Sequence, residues 1–167
     1  MGELRELYQS IILDHNRAPR NYGALPDANG HADGRNPLCG DEVTVWVKMD
    51  GERIADVRFV GGGCAISKAS ASLMTIAVKG KTATEVGTLA DHFQAVVTGQ
   101  VAAPAHTDPT LGRLATLSGV SQFPIRVKCA TLAWHALRAA INSAPGTSAP
   151  GTSAPGTSAP LGAPPGQ

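Results

Sequence analysis

Aromatic side chains are scarce in this chain: Phe, Tyr and Trp together make up 4% of its 167 residues. A core built from it must therefore be aliphatic, and a hydrophobic content of 43% is enough for one domain of ordinary size. Cysteine is scarce too, and its count of three is odd, which excludes a fully paired disulfide framework. Neither sign of charge is in excess, with 14 Lys and Arg against 13 Asp and Glu and a formal net charge of +1. That balance gives no electrostatic footing for nucleic acid or an anionic membrane surface as partner. No apolar run reaches the length of a membrane span, and the first residues lack the basic, apolar and small-residue succession of a secretory signal. The expectation is a cytoplasmic protein. In a reducing compartment, scattered cysteines serve as buried packing, metal ligands or reactive thiols, and the count alone does not choose among these.

The apolar residues that are present fall into clear periods. Leu4, Leu7, Tyr8, Ile11 and Ile12 follow the spacing of one helix face, and that helix should stop near Asn16 as Pro19 approaches. Residues 21–38 are rich in Gly, Pro, Asn and Asp and read as a loop with room for a short strand. Val43, Val45 and Val47 alternate with Thr44, Trp46 and Lys48, the period of a strand. Asp50-Gly51 suits a type I′ hairpin turn. The return strand over 53–60 uses Ile54, Val57 and Phe59, with a slip at Ala55-Asp56 that suggests a bulge. Beyond Gly61-Gly62-Gly63-Cys64, residues 65–79 read as a helix of small residues closed by Gly80. Thr82 to Glu85 is a capping box for a third helix reaching about Thr98. Residues 100–108 read as a loop, and Asp108-Pro109 opens a short helix that ends near Ser118-Gly119. The last helix starts around Pro124 and carries Val127, Leu132, Trp134, Leu137 and Ile141. The expected architecture is α+β, a small antiparallel sheet covered by helices on one side.

From Ser143 the chain changes character. Ser-Ala-Pro-Gly-Thr occurs three times in succession, and no residue after Asn142 is charged. Such a segment has too little apolar surface to offset the entropy of ordering it. The expected division is a folded domain over 1–142 and a disordered tail over 143–167.

Chemistry is concentrated around Asn36-Pro37-Leu38-Cys39-Gly40-Asp41, where a thiol and a carboxylate stand two residues apart between a rigid Pro and a permissive Gly. The other thiols are Cys64, which opens a helix after three glycines, and Cys129, in the first turns of the last helix. A helix start favours a thiolate. Three thiolates and one carboxylate are a tetrahedral donor set for zinc, or for an iron–sulfur cluster. Against this, a lone Cys is most often a small buried hydrophobe. The spacings of the three also match no zinc-ribbon pattern, and Asp41 alone could cap a turn.

The words around these residues closely resemble the NifU/IscU-like iron–sulfur scaffold family. They are Asn36 to Asp41, Gly61-Gly-Gly-Cys-Ala-Ile-Ser67 with Ala69-Ser-Ala-Ser72, and Phe123 to Trp134, joined by Leu7-Tyr8, Ile11 to His15 and Pro19-Arg20-Asn21 near the start. The resemblance covers nearly all of 1–142 and leaves the tail outside. Within the family the chain looks like the SufU branch. Lys128 stands where scaffolds of the IscU type have a ligand His, and Phe123-Pro-Ile-Arg-Val127 replaces their Leu-Pro-Pro-Val-Lys motif. Residues from about 99 to 119 look like the insertion typical of SufU.

The resemblance implies a zinc site of Cys39, Asp41, Cys64 and Cys129. It also implies sulfur transfer, as persulfide, from a SufS-type cysteine desulfurase toward downstream cluster-assembly proteins, with Cys39 as the acceptor and catalytic thiol. Arg126 and Lys128 would offset the negative charge of the site. Two rival readings use the same residues: a scaffold for a [2Fe–2S] cluster, and an adaptor whose zinc only holds the fold. His15 and His135 are expected as packing or surface residues, His31, His92 and His106 as structural, and Trp46 and Trp134 as half-buried. The run from Ala69 to Ser72 is expected to permit close helix packing.

Overall fold

The computed structural model describes residues 2–37, 40–100 and 111–144. Strands β1 (Gly30–Asn36), β2 (Asp41–Asp50) and β3 (Arg53–Gly62) form one antiparallel sheet in the order β1-β2-β3. The helices are α1 (Gly2–Arg17), α2 (Ala65–Val78), α3 (Ala83–Val97) and α4 (Pro124–Ser143), with a 3-10 segment over Gly112–Gln122 between α3 and α4. Alternation decides which face of the sheet is covered. Val43, Val45, Val47 and Met49 of β2 are buried with Val57 and Phe59 of β3, while Glu42, Thr44, Trp46 and Lys48 face the other way. α4 lies against β1 and β2, and α2 packs on both β3 and α4, as the one-sided cover expected from the alternation requires.

The bulge falls where the alternation slips. Pairing passes from Lys48 with Asp56 to Met49 with Ile54, leaving Ala55 as the extra residue. The hairpin turn sits one residue later than expected. Asp50 pairs with Arg53, so the loop is Gly51-Glu52, and Gly51 alone of the two has positive φ, at 65°. That is the pattern of a type II′ turn rather than I′.

β1 is a full seven-residue strand within the stretch expected as mostly loop. Its inward positions are small because α4 passes directly over them. A Cβ on Gly30 would strike the Ala140 carbonyl oxygen, and one on Gly34 would come within 3.2 Å of Leu132 and 3.4 Å of Ala136. Ala136, Ala140 and Ala144 supply the matching small face of the last helix.

The helical layer corrects two further expectations. Trp134 is fully buried, stacked on Phe93 with ring centroids 4.9 Å apart, because it faces α3 rather than the surface. The segment before α4 is 3-10, not α, and runs past Gly119 to Gln122. It stops where Pro124 holds Phe123 in an extended conformation, at φ −129° and ψ 92°. Its expected start at Asp108-Pro109, the expected loop before it and His106 lie outside the described residues.

The run Ala69-Ser70-Ala71-Ser72 does bring helices close. Ser70 donates to the Ala130 carbonyl of α4 at 2.5 Å, and Ser72 lies 2.7 Å from Nδ1 of buried His15 and accepts from the Arg20 N–H at 2.8 Å. Burial holds the His15 pKa below its ordinary value, favouring the uncharged ring where α1 meets α2. The side chains of Leu4, Leu7 and Tyr8 lie outside the description, but Ile11 and Ile12 are in the core as their spacing requires. At the other end, α4 continues through Ser143, whose hydroxyl bridges the backbone N–H and carbonyl of His31, and Ala144 is buried. The rest of the repeat segment, 145–167, lies outside the described residues.

Candidate metal centre

Three elements meet at one end of the sheet. Asp41 is the first residue of β2, Cys64 is the N-cap of α2 immediately after β3, and Cys129 lies in the second turn of α4. One ligand atom from each lies within 4.8 Å of the other two, with Asp41 and Cys129 buried and Cys64 half-buried. Residues 23 and 65 positions apart in the chain are thus brought together by the return of β3 and the placement of α2 against α4.

Cys64 caps α2 without a side-chain bond of its own. The N–H of Cys64 itself is met by Asp41: the carboxylate Oδ1 accepts from it at 2.8 Å, and Oδ2 lies 3.7 Å from the Cys64 Sγ. A wholly buried carboxylate is costly, by several kcal/mol when alone. Here a charge-assisted bond and the positive end of a helix offset that cost. The close approach depends on Gly63, which has φ +127° and no side chain to meet the carboxylate. Among the described residues, Gly63 is the contributor that sequence reasoning did not single out. The triple glycine before Cys64 was its signal.

The donor set suits a thiophilic divalent cation. Thiolate and carboxylate ligands at ordinary zinc distances and a tetrahedral angle stand about 3.5 Å apart, close to the separation between Cys64 and Asp41. Cys39 lies outside the described residues. Asn36 and Gly40 on either side of it are described, joined by a 2.8 Å bond from the Gly40 N–H to the Asn36 carbonyl, with Gly40 at φ 75°. Arg126 and Lys128 are exposed on the first turn of α4 and form no ion pair among the described residues; the Arg126 guanidinium lies over the Phe123 ring at 5.0 Å. Both histidines named on helices fall as expected, His15 inside and His135 on the surface, and His31 and His92 stand apart from the cluster.

Residues 7–148 match the model of the NifU-like N-terminal domain family. The chain is 44% identical over 141 residues to the iron–sulfur cluster assembly scaffold protein IscU of Streptococcus pyogenes, covering 84% of this chain and 86% of that one. It is 41% identical over 146 residues to the zinc-dependent sulfurtransferase SufU of Bacillus subtilis, covering 87% and 96%. Among solved structures, a candidate SUF-system iron–sulfur scaffold from Fervidobacterium islandicum superposes with a TM-score of 0.72 at 33% identity, covering 81% and 96%. The N-terminal part of a NifU-like protein from Brucella abortus gives 0.73 at 25% identity, covering 82% and 93%.

Proposed function

The chain belongs to the NifU-like N-terminal domain family of iron–sulfur cluster assembly proteins, and from that premise we propose that it is a zinc-dependent sulfurtransferase. It accepts persulfide sulfur from a SufS-type cysteine desulfurase in the cytoplasm and hands it to downstream cluster-assembly proteins. The observation that carries the reading is the convergence of Asp41, Cys64 and Cys129 at one buried corner. Cys39 completes the set as the fourth ligand. Covalent geometry keeps its Cα within about 7.6 Å of that of Asp41. Zinc bound there supplies one effect, holding the thiols deprotonated at neutral pH.

The protein's own residues then divide the work. Asp41, Cys64 and Cys129 are fixed to β2, α2 and α4 and act as the permanent part of the site. Cys39, between Pro37 and Gly40, is the thiol free to reach a partner. Its thiolate attacks the outer sulfur of the desulfurase persulfide. A new S–S bond forms on Cys39 as the old one breaks, and the desulfurase cysteine leaves as a thiolate. Arg126 and Lys128, exposed at the start of α4, offset the net negative charge of three thiolates and a carboxylate around a divalent ion.

A second reading, a scaffold for a [2Fe–2S] cluster on the same four residues, is favoured by the IscU name of one relative. Lys128 supports the sulfurtransferase reading instead, because it stands beside Cys129 where scaffolds of the IscU type have a histidine ligand. Protein purified without oxygen separates the two. About one zinc per chain, no visible absorption and faster turnover of a SufS-type desulfurase are the expected results. Iron with sulfide and a visible spectrum would establish the scaffold.

A further inference from the structure

We propose that Gly63 is a positioning residue for the metal centre, dividing the two oxygens of Asp41 between separate tasks: Oδ1 is committed to the backbone, and Oδ2 alone faces the ion. The inference deepens the reading above and rests on it.

The three glycines before Cys64 are not equivalent. A Cβ on Gly62 would meet nothing within 4 Å. On Gly61 it would press on the paired strand, 3.1 Å from the Val43 Cα. On Gly63 it would strike Oδ1 of Asp41 and lie 2.7 Å from its Cγ and 2.9 Å from its Cα. The last contact is with backbone, so turning the carboxylate aside does not relieve it. Gly63 also holds φ +127°, which L side chains rarely adopt.

Into the space so left, the Cys64 N–H points at Oδ1 from 2.8 Å. With that oxygen occupied, Oδ2 is the one turned toward the Cys64 thiol, 3.7 Å away. The carboxylate is therefore set before any ion arrives, as a ligand through one oxygen. Such a ligand, anchored to the start of α2, is the one suited to retain the ion while a thiol is engaged elsewhere.

Zinc affinity, measured by competition with a chromophoric chelator, tests this in a set of variants whose metal-free folding is checked by circular dichroism. Gly63→Ala should weaken zinc binding by about 10–100-fold, the range typical of groups that orient a ligand. Gly62→Ala should change it by less than about twofold. After Asp41→Ala the same Gly63→Ala change should cost clearly less than in the parent, since the contact with the carboxylate is gone and only the backbone contact and the strained φ remain. An equal loss with and without the carboxylate would mean that Gly63 serves the backbone alone and overturn the proposal.

Asp41→Asn tests the division of oxygens and keeps the inference falsifiable if Gly63→Ala does not fold. Its amide oxygen must face the Cys64 N–H, which turns the NH2 group toward the thiols. It should bind zinc no better than Asp41→Ala, and clearly tighter binding would contradict the division. A parent protein that binds no zinc would remove the underlying site reading. Zinc held equally by parent and Gly63→Ala would remove only this inference.

Discussion

The starts of α2 and α3 solve one problem in opposite ways. A helix start leaves backbone N–H groups without partners inside the helix. α3 satisfies them locally: the Thr82 hydroxyl accepts from the Glu85 N–H at 3.1 Å, and the Glu85 carboxylate accepts from the Thr82 N–H at 2.9 Å. α2 has no such box, and its N-cap residue takes a carboxylate from Asp41 on another element, 23 positions back in the chain. α4 likewise begins at Phe123 without a side-chain cap. Of α2, α3 and α4, the two without a side-chain cap of their own are those that bring Cys64 and Cys129 together. The difference teaches where this fold gives up local consistency, and such places coincide with chemistry more often than with accident.

The largest effect that would sharpen this contrast is on the metal. Cys64→Ala or Cys129→Ala should abolish tight zinc binding, because each removes one thiol of the proposed ligand set. Metal binding at such a site contributes to folding. With free zinc at about 100 times its dissociation constant, the ion adds about 2.7 kcal/mol to stability. Chelation should therefore lower the thermal midpoint of the parent by roughly 5–10 °C and leave that of either variant unmoved. A midpoint indifferent to chelator in the parent would break the contrast.

A smaller effect is expected at α3. Thr82→Ala removes a local cap and should cost about 1 kcal/mol of stability, read from denaturant midpoints. Zinc affinity should not change. If it falls, the two helix starts are coupled and the division drawn between them is wrong.

How far the sequence disclosed the molecule follows the same line. The capping box of α3 was legible because all its groups lie within four residues. β2 and β3 were legible because valines and Phe59 alternate. β1 was mostly hidden, since Gly30, Ala32 and Gly34 carry no hydrophobic period. The smallness of Gly30 and Gly34 answers α4, about 100 residues away. Asp41, Cys64 and Cys129 were visible as residue types and through family resemblance, while the bond from the Cys64 N–H to Asp41 and the clearance left by Gly63 arise only when β2 meets the start of α2. The burial of Trp134 against Phe93 was illegible for the same reason, depending on how α3 and α4 are set beside each other.

The smallest effect concerns the end of the chain. Ser143 and Ala144 belong to the packed part, through the bonds to His31 and burial against β1. A chain cut after Ala144 should keep zinc affinity, sulfur acceptance and stability, the last within about 0.5 kcal/mol. A cut after Asn142 removes the bridge to His31 and should cost more. A large loss of zinc or of sulfur acceptance in the longer version would give the repeat segment a role in the site.

The central claim is that Cys39 accepts sulfur beside a site held by Asp41, Cys64 and Cys129. Mass spectrometry of the zinc-loaded protein after a single turnover of a SufS-type desulfurase tests it most directly. The added sulfur should map to Cys39, and Cys39→Ser should carry none while the desulfurase loses its stimulation. Sulfur on Cys64 or Cys129, with Cys39 unmodified, would contradict the account.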